Sequence, residues 1–263
     1  MGQAEIENRA IRQTLAVNLA RLEEAIAAAC RAANRPRSEV ELVAVSKIHP
    51  TAAIVEAFSL GLKIFGENRV QEFAAKSAEL DPSIRSQIRA HLIGHLQSNK
   101  ASKAVEIFDA VDSLDSLKLA EKLNEAAASL NKRLPVLLEI KLSHEDSKTG
   151  LAPDSPELTE LLDRLPSLAN LEAQGLMTIA PFNVPEAETR DCFHNLRQLQ
   201  VNPIPTVGEV FDPRIHEALG SVERDDLPDQ HVAEEVRRGY RLRERLLRPA
   251  LVRVVHNPKQ IPE

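Results

Sequence analysis

The sequence predicts an α/β chain in which six βα units, forming a barrel or an open parallel sheet, precede a small mainly-β segment. Three observations predict it. Short apolar runs alternate with helical patterns between about residues 41 and 200. Those runs are near-continuous rather than strictly alternating, as parallel strands covered on both faces require. The rhythm then breaks near Gln200, where VNPIPTVGEVFDP is too rich in Pro and Gly for another helix.

The elements follow in order. Leu15, Leu19, Leu22, Ile26 and Cys30 recur at spacings of three and four, one stripe of a leading helix that ends near Asn34-Arg35-Pro36. Strands are expected at ELVAVSK (41–47), KIFGEN (63–68), HLIG (91–94), IFDAVDS (107–113), PVLLEIKL (135–142) and LEAQGLMTI (171–179). Between them, Ile54, Val55 and Phe58 share a helix face over 50–60. Leu117, Ala120, Leu123, Ala127 and Leu130 do so over 114–130, and Leu158, Leu161, Leu162 and Leu165 over 158–165. A last helix covers 187–200. No GxGxxG follows the first strand, which weakens an open dinucleotide-binding sheet and favours a barrel. Beyond residue 200, LVRVV (251–255) is the clearest strand, while RRGYRLRERLLRP (237–249) suits a helix and a strand equally well.

Composition excludes several functions. The 263 residues are 43% hydrophobic and 27% charged, enough apolar length for a sizeable core. A net charge of −6, no Trp and a single Tyr make nucleic acid a poor partner. Cys30 and Cys192 are too few and too far apart for a disulfide framework or a CxxC site. His91 and His95 fall on a strand and its loop with no third ligand at a suitable spacing, which argues against zinc. No apolar run is long enough for a membrane span, so the cytoplasm is the expected location.

Several motifs are far more specific. VAVSKIHP (43–50), FGENRVQEF (65–73), HLIGHLQSNK (91–100), the DSLKLAEKLN stretch (115–124), EDSKTGL (145–151) and GLMTIAPF (175–182) stand in the order and spacing of one family. Residues 1–200 therefore resemble the pyridoxal phosphate homeostasis family, also called YggS/PROSC, whose fold is like the barrel domain of alanine racemase. The resemblance implies a pyridoxal phosphate carrier without an established turnover reaction. In it Lys47 forms the Schiff base with the cofactor and Asn68 lies beside it. Lys47 ends the first strand, where the functional groups of such barrels gather. An amine attacks an aldehyde only when unprotonated, and a place near Val43 and Val45 in a partly desolvated mouth would favour that form. Read from the residues alone, Lys47 is a solvated loop residue and Asn68 a helix N-cap before RVQEF. Met177 reads as barrel lining.

The family's last two strand units carry a Ser-Met-Gly-Met-Ser type and an Arg-Ile-Gly-Thr type segment that bind the cofactor phosphate, and neither is present in this sequence. The expected fold is thus an incomplete (β/α)8 barrel of the alanine racemase N-terminal type, with six units. Residues 201–263 form a second expected domain. NPIPTVGEVFDPRIHEAL and VAEEVRRGYRLRERLLRPALVRVV within it resemble the C-terminal β-domain of GrpE, the nucleotide exchange factor of DnaK-type chaperones. That resemblance implies a chaperone cofactor as the alternative function, with Arg245 and Val254 as partner-contact residues; GrpE's long dimerising helix has no counterpart. From the residues alone, Arg245 is a surface arginine and Val254 a strand-core residue.

Overall fold

The computed structural model describes residues 3–143, 149–199, 201–242 and 244–257. Residues 145–148 of the EDSKTGL motif and Gln200 at the expected boundary lie outside the described residues. The chain divides into two units, Met1–Gly94 with Lys103–Val111, and His95–Ser102 with Asp112–Glu263.

The helix α1 (Gln3–Ala32) leads, and Asn34 beyond its end adopts a left-handed φ of 50°, a conformation Asn tolerates at a helix terminus. Six strands follow: β1 (Ala44–Val45), β2 (Ile64–Glu67), β3 (Arg89–Leu92), β4 (Ala110–Leu114), β5 (Leu134–Glu139) and β6 (Leu171–Met177). They form one sheet in chain order, with β1 parallel to β2, β2 to β3, β3 to β4 and β5 to β6. This is the expected run of six βα units, with the strands in the order β1 to β6. The first strand is much shorter than ELVAVSK suggested, only two residues. The connecting helices are α2 (Thr51–Ser59), α3 (Val70–Glu79), α4 (Pro82–Arg85), α5 (Ala101–Ile107), α6 (Leu117–Ser129) and α7 (Pro156–Arg164), with α8 (Glu186–Gln198) after β6.

Local chemistry explains the helix starts. Ser116 caps α6 by accepting from Leu119 N–H, Ser155 caps α7 by accepting from Leu158 N–H with Pro156 in the first turn, and Asp81 caps α4 through Ser83. The Ser116 cap moves the start of α6 past Leu114. Its buried face keeps Ala120, Leu123 and Ala127 of the expected stripe and adds Leu119 and Ala126, while Leu117 is only partly buried. Leu130 lies beyond the last turn and is exposed. The N-cap of α3 is Arg69, with no side-chain cap, so Asn68 does not cap this helix.

In the first unit, Ile54, Ala57, Phe65, Leu80 and Ile88 form a buried cluster against which Leu15, Phe58 and Leu62 pack. Phe73 and Phe108 are fully buried, with ring centroids 5.0 Å apart. Glycine is required at position 94. A Cβ there would stand 2.6 Å from the backbone O and 2.8 Å from the Cα of Asn68.

In the second unit, residues after 200 form the expected short strands: β7 (Val201–Pro203), β8 (His216–Val222), β9 (Val232–Arg237), β10 (Tyr240–Leu242), β11 (Arg245–Arg248) and β12 (Ala250–Val255). The ambiguous 237–249 segment is strand, because β10 pairs antiparallel with both β11 and β7. The chain passes from β10 to β11 within two residues, too tight for a helix. β12 runs between β8, parallel to it, and β9, antiparallel. Ile204, Val232, Ala250 and Val252 make a small core. Gly239 lets the backbone at Ala250 approach, since a Cβ would lie 2.3 Å from Ala250 N. Within FDPRIHEAL, His216 accepts from Asp212 N–H at Nδ1, and its Nε2 is 3.0 Å from Pro205 O, which places the proton on Nε2. Arg214, by side-chain and backbone hydrogen bonds, holds the Asp212 carboxyl down at about 2.

Two outcomes test this packing. Phe73→Ala should destabilise the chain by about 3–5 kcal/mol, read as a lower denaturant midpoint. Gly94→Ala should cost about 1–3 kcal/mol by forcing the Asn68 backbone away; an unchanged midpoint would mean that the two backbones separate freely.

Candidate functional site

The register of the first two strands places the two residues expected at the cofactor at one end of the sheet. Val45 pairs with Gly66, and Lys47 and Asn68 each follow two residues later, past the carboxyl ends of neighbouring strands. Asn68 is partly buried, its backbone against Gly94. Lys47 lies on the turn after β1 and is exposed. The desolvating enclosure expected from Val43 and Val45 does not form. β1 stops after two residues, leaving Val45 itself 48% exposed and Val43 only partly buried.

The turn that carries Lys47 is held by a buried polar cluster that sequence reasoning missed. Ser46 N–H donates to Gly66 O at 3.0 Å, joining the turn to β2. Ser46 Oγ donates to Glu67 Oε1, and Lys76 Nζ donates to Ser46 O, Glu67 Oε1 and Glu72 Oε1, each at 2.8 Å. Ile48 N–H donates to Glu72 Oε1 at 2.7 Å. Glu67 is fully buried and the Lys76 side chain is 9% exposed. Ile48 has a φ of +60°, a region β-branched residues rarely enter. One local signal was available, because Glu72 of the FGENRVQEF motif and Lys76 stand four apart on α3. Glu67 and Lys76, nine apart across a strand and a helix, obey no local rule.

The charges of this cluster support one another. Burial pushes the Lys76 ammonium pKa down, but the hydrogen bonds it donates to Glu67 and Glu72 outweigh it and leave the pKa above its ordinary value of 10.5. The Lys76 hydrogen bond, then that of Ile48 N–H, holds the Glu72 carboxyl below its ordinary 4.5. The Lys76 contribution to stability is therefore fully present below about pH 10.5 and fades as pH rises through the folded value. That of Glu72 is present above about pH 4.5 and fades as pH falls through its lowered value. Near neutrality both ions are charged.

In the second unit, His95 Nδ1 lies 2.7 Å from Asp115 Oδ2. Burial pushes the Glu139 carboxyl up, and Thr149 Oγ1 donates to it at 2.9 Å. Met177, at the end of β6, is partly buried, and its carbonyl accepts from Ile140 N–H. Arg245 opens β11 and forms an ion pair with Asp163 of α7. Val254, between Ser221 of β8 and Val232 of β9, packs partly buried against the small core. Among the described residues no group of His, Cys, Asp and Glu side chains is placed to hold a metal, and no helix is long and apolar enough to cross a membrane.

Residues 17–207 match the family model of the alanine racemase N-terminal domain, and residues 188–256 that of GrpE. The pyridoxal phosphate homeostasis protein of Pseudomonas aeruginosa is 41% identical over 187 residues, 71% of this chain and 79% of that protein. That of Escherichia coli is 37% identical over 71% of this chain and 78% of its own length. Among solved structures, PipY of Synechococcus elongatus with PLP bound is 42% identical and covers 70% of this chain and 79% of its own, with a TM-score of 0.59. An unknown protein from Bifidobacterium adolescentis is 34% identical over 72% of this chain and 78% of its own, with a TM-score of 0.65. The alanine racemase of Bartonella henselae, 15% identical over 71% of this chain and 49% of its own with a TM-score of 0.51, shares the fold. The order of the motifs, the six-stranded parallel sheet and these relatives together place the chain in the pyridoxal phosphate homeostasis family, with a GrpE-matching segment at its C-terminal side.

Proposed function

We propose that the chain binds pyridoxal phosphate through Lys47 and holds the cofactor for delivery in the cytoplasm rather than turning over a substrate. The observation that carries this reading is the exposed amine of Lys47 at the carboxyl end of β1, on a turn tied down by Ser46, Glu67, Glu72 and Lys76. The cofactor supplies an aldehyde. Lys47 would hold that aldehyde as a Schiff base, a role that needs an accessible amine on a fixed backbone. Asn68, at the matching position beyond β2, is proposed to lie beside the bound group. The names of the relatives and the PLP-bound PipY structure support the same reading.

The residues fit the aldehyde end of the cofactor better than its phosphate end. A phosphate is normally held by backbone N–H groups at Gly-rich turns and helix N-termini, and the family's two segments of that kind are missing from this sequence. A second acid or base for racemase-type chemistry would often be a tyrosine; Tyr240, the single tyrosine, belongs to β10 after the proposed domain change near residue 200. This supports binding without turnover. Charge-assisted hydrogen bonds contribute about 1.5–3 kcal/mol each. Losing two weakens binding by roughly a hundredfold to more than ten thousandfold.

Titration of the full chain with pyridoxal phosphate tests both points. A new absorption band from the lysine-linked cofactor should appear with weak affinity and vanish in Lys47→Ala. Persistence of the band in Lys47→Ala would move the linkage to another lysine, and submicromolar affinity would show that another element holds the phosphate.

The family match over 188–256 supports a second reading, a contact with a DnaK-type chaperone through Arg245 and Val254. Arg245 is already engaged by Asp163, and Val254 is part of the small core, so a partner must displace the first and can reach the second only in part. Weak binding and little acceleration of ADP release are expected, with whatever acceleration exists lost in Arg245→Ala. Stopped-flow ADP release at saturating protein reads this directly. Acceleration matching a complete exchange factor would show that the β-segment suffices without a paired helix.

A further inference from the structure

The backbone on either side of Lys47 is gripped by different side chains. Before it, Ser46 is bound through its carbonyl by Lys76 Nζ and through its hydroxyl by Glu67, both at 2.8 Å. After it, the Ile48 N–H is bound by Glu72 Oε1 at 2.7 Å. Lys76 Nζ stands 2.8 Å from both carboxylates and so joins the two grips into one clamp.

A clamp that merely fastened α3 to the sheet would not need an unusual backbone at residue 48. Yet Ile48 is held at a φ of +60° while its side chain is 86% exposed and gains no packing in return. Strain of this kind persists only where the surroundings over-determine the conformation, and it gathers at sites where geometry serves a function. The strained residue immediately follows the exposed lysine. Burial of Glu67 and of most of Lys76 makes the clamp stiff, since neither can exchange its partners for water without disturbing the core.

Building on the assignment of Lys47 as the cofactor-linking amine, we propose that Glu72 and Lys76 are positioning residues for it. They hold the turn over residues 46–48, with Ile48 at its left-handed φ, and so fix where the Lys47 amine emerges from the end of β1. Neither is a catalytic residue. Glu72 is the side of the clamp open to substitution, because its side chain is 27% exposed while Lys76 and Glu67 are buried.

The test uses the full chain with Glu72→Ala, which removes the acceptor of Ile48 N–H, and Glu72→Gln, which keeps an oxygen able to accept it. Two quantities are read: hydrogen exchange at the Ile48 amide without cofactor, and the midpoint of the Lys47-dependent absorption band on titration with pyridoxal phosphate. In Glu72→Ala, exchange should quicken and the midpoint rise by about tenfold or more, as expected for loss of a hydrogen bond to a charged group. Glu72→Gln should return both to within about threefold of the starting chain. If Glu72→Ala does not fold, Ile48→Pro serves instead, because proline cannot adopt a φ of +60° and lacks the N–H, while the exposed position touches no core. It should raise the midpoint as Glu72→Ala does. A midpoint unchanged in folded Glu72→Ala or in Ile48→Pro would overturn the proposal, as would a Glu72→Gln chain as impaired as Glu72→Ala. Absence of any Lys47-dependent band in the unaltered chain is a different failure, that of the cofactor assignment. The exchange rate at Ile48, read without cofactor, separates the two.

Discussion

A buried ammonium that cannot leave its partners is the constraint on which the candidate site depends. Lys76 sits on α3 but donates into the turn after β1, to Glu67 at the end of β2, and to Glu72 on its own helix. Removing a charge from water is costly, and a lysine is retained inside a protein only where carboxylates and carbonyls take up its three protons. Those three acceptors come from the turn after β1, from β2 and from α3 itself, so the position of α3 and the path of the chain after β1 are decided together. The Glu67 backbone continues the same constraint outward, accepting from Ile93 N–H at 2.9 Å, and Gly94 then presses on Asn68.

The second unit meets its own difficulty at the edge of the sheet. β6 is the last strand in the order, and an uncovered strand edge invites pairing with other chains. Here β6 is approached by β11, and Glu172 of β6 lies 2.5 Å from Arg248 and 3.1 Å from Arg237. Burial pushes the Arg248 guanidinium down from its ordinary value while Glu172 pulls it up. A carboxylate on the sheet facing two arginines from the following strands joins the α/β and β parts through charge. The same arrangement occupies Arg245 with Asp163. An arginine on the motif that resembles an exchange factor is thus used within the chain, which sets the proposed chaperone contact against an intramolecular competitor.

Much of the fold was legible because its signals are local. The six apolar runs marked β1 to β6, and the apolar faces over 114–130 and 158–165 marked α6 and α7, while the Ser116 and Ser155 caps that set where those helices start emerged only from the structure. Where local signals conflicted, the reading failed for a definable reason. The 237–249 segment carries both helical and strand periodicity, and only its neighbours, β7 on one side and the β11 return on the other, make it a strand. Asn68 looks like a helix cap by type, but the helix begins one residue later, after Arg69, because Asn68 is held against Gly94.

The sequence by itself determined the order of the βα units, the family motifs around Lys47 and Asn68, and the change of character near residue 200. These lie in patterns a few residues long, where spacing and residue type carry the information. The tertiary structure alone decided that Lys47 is exposed, that Ile48 after it is strained, and that Ser46, Glu67, Glu72 and Lys76 hold the turn between them. It alone brought Arg245 to Asp163, 82 residues earlier. Hydrogen bonds and ion pairs depend on angstrom-scale distances between elements far apart in the chain, and no periodicity in the sequence specifies those distances until the elements have packed.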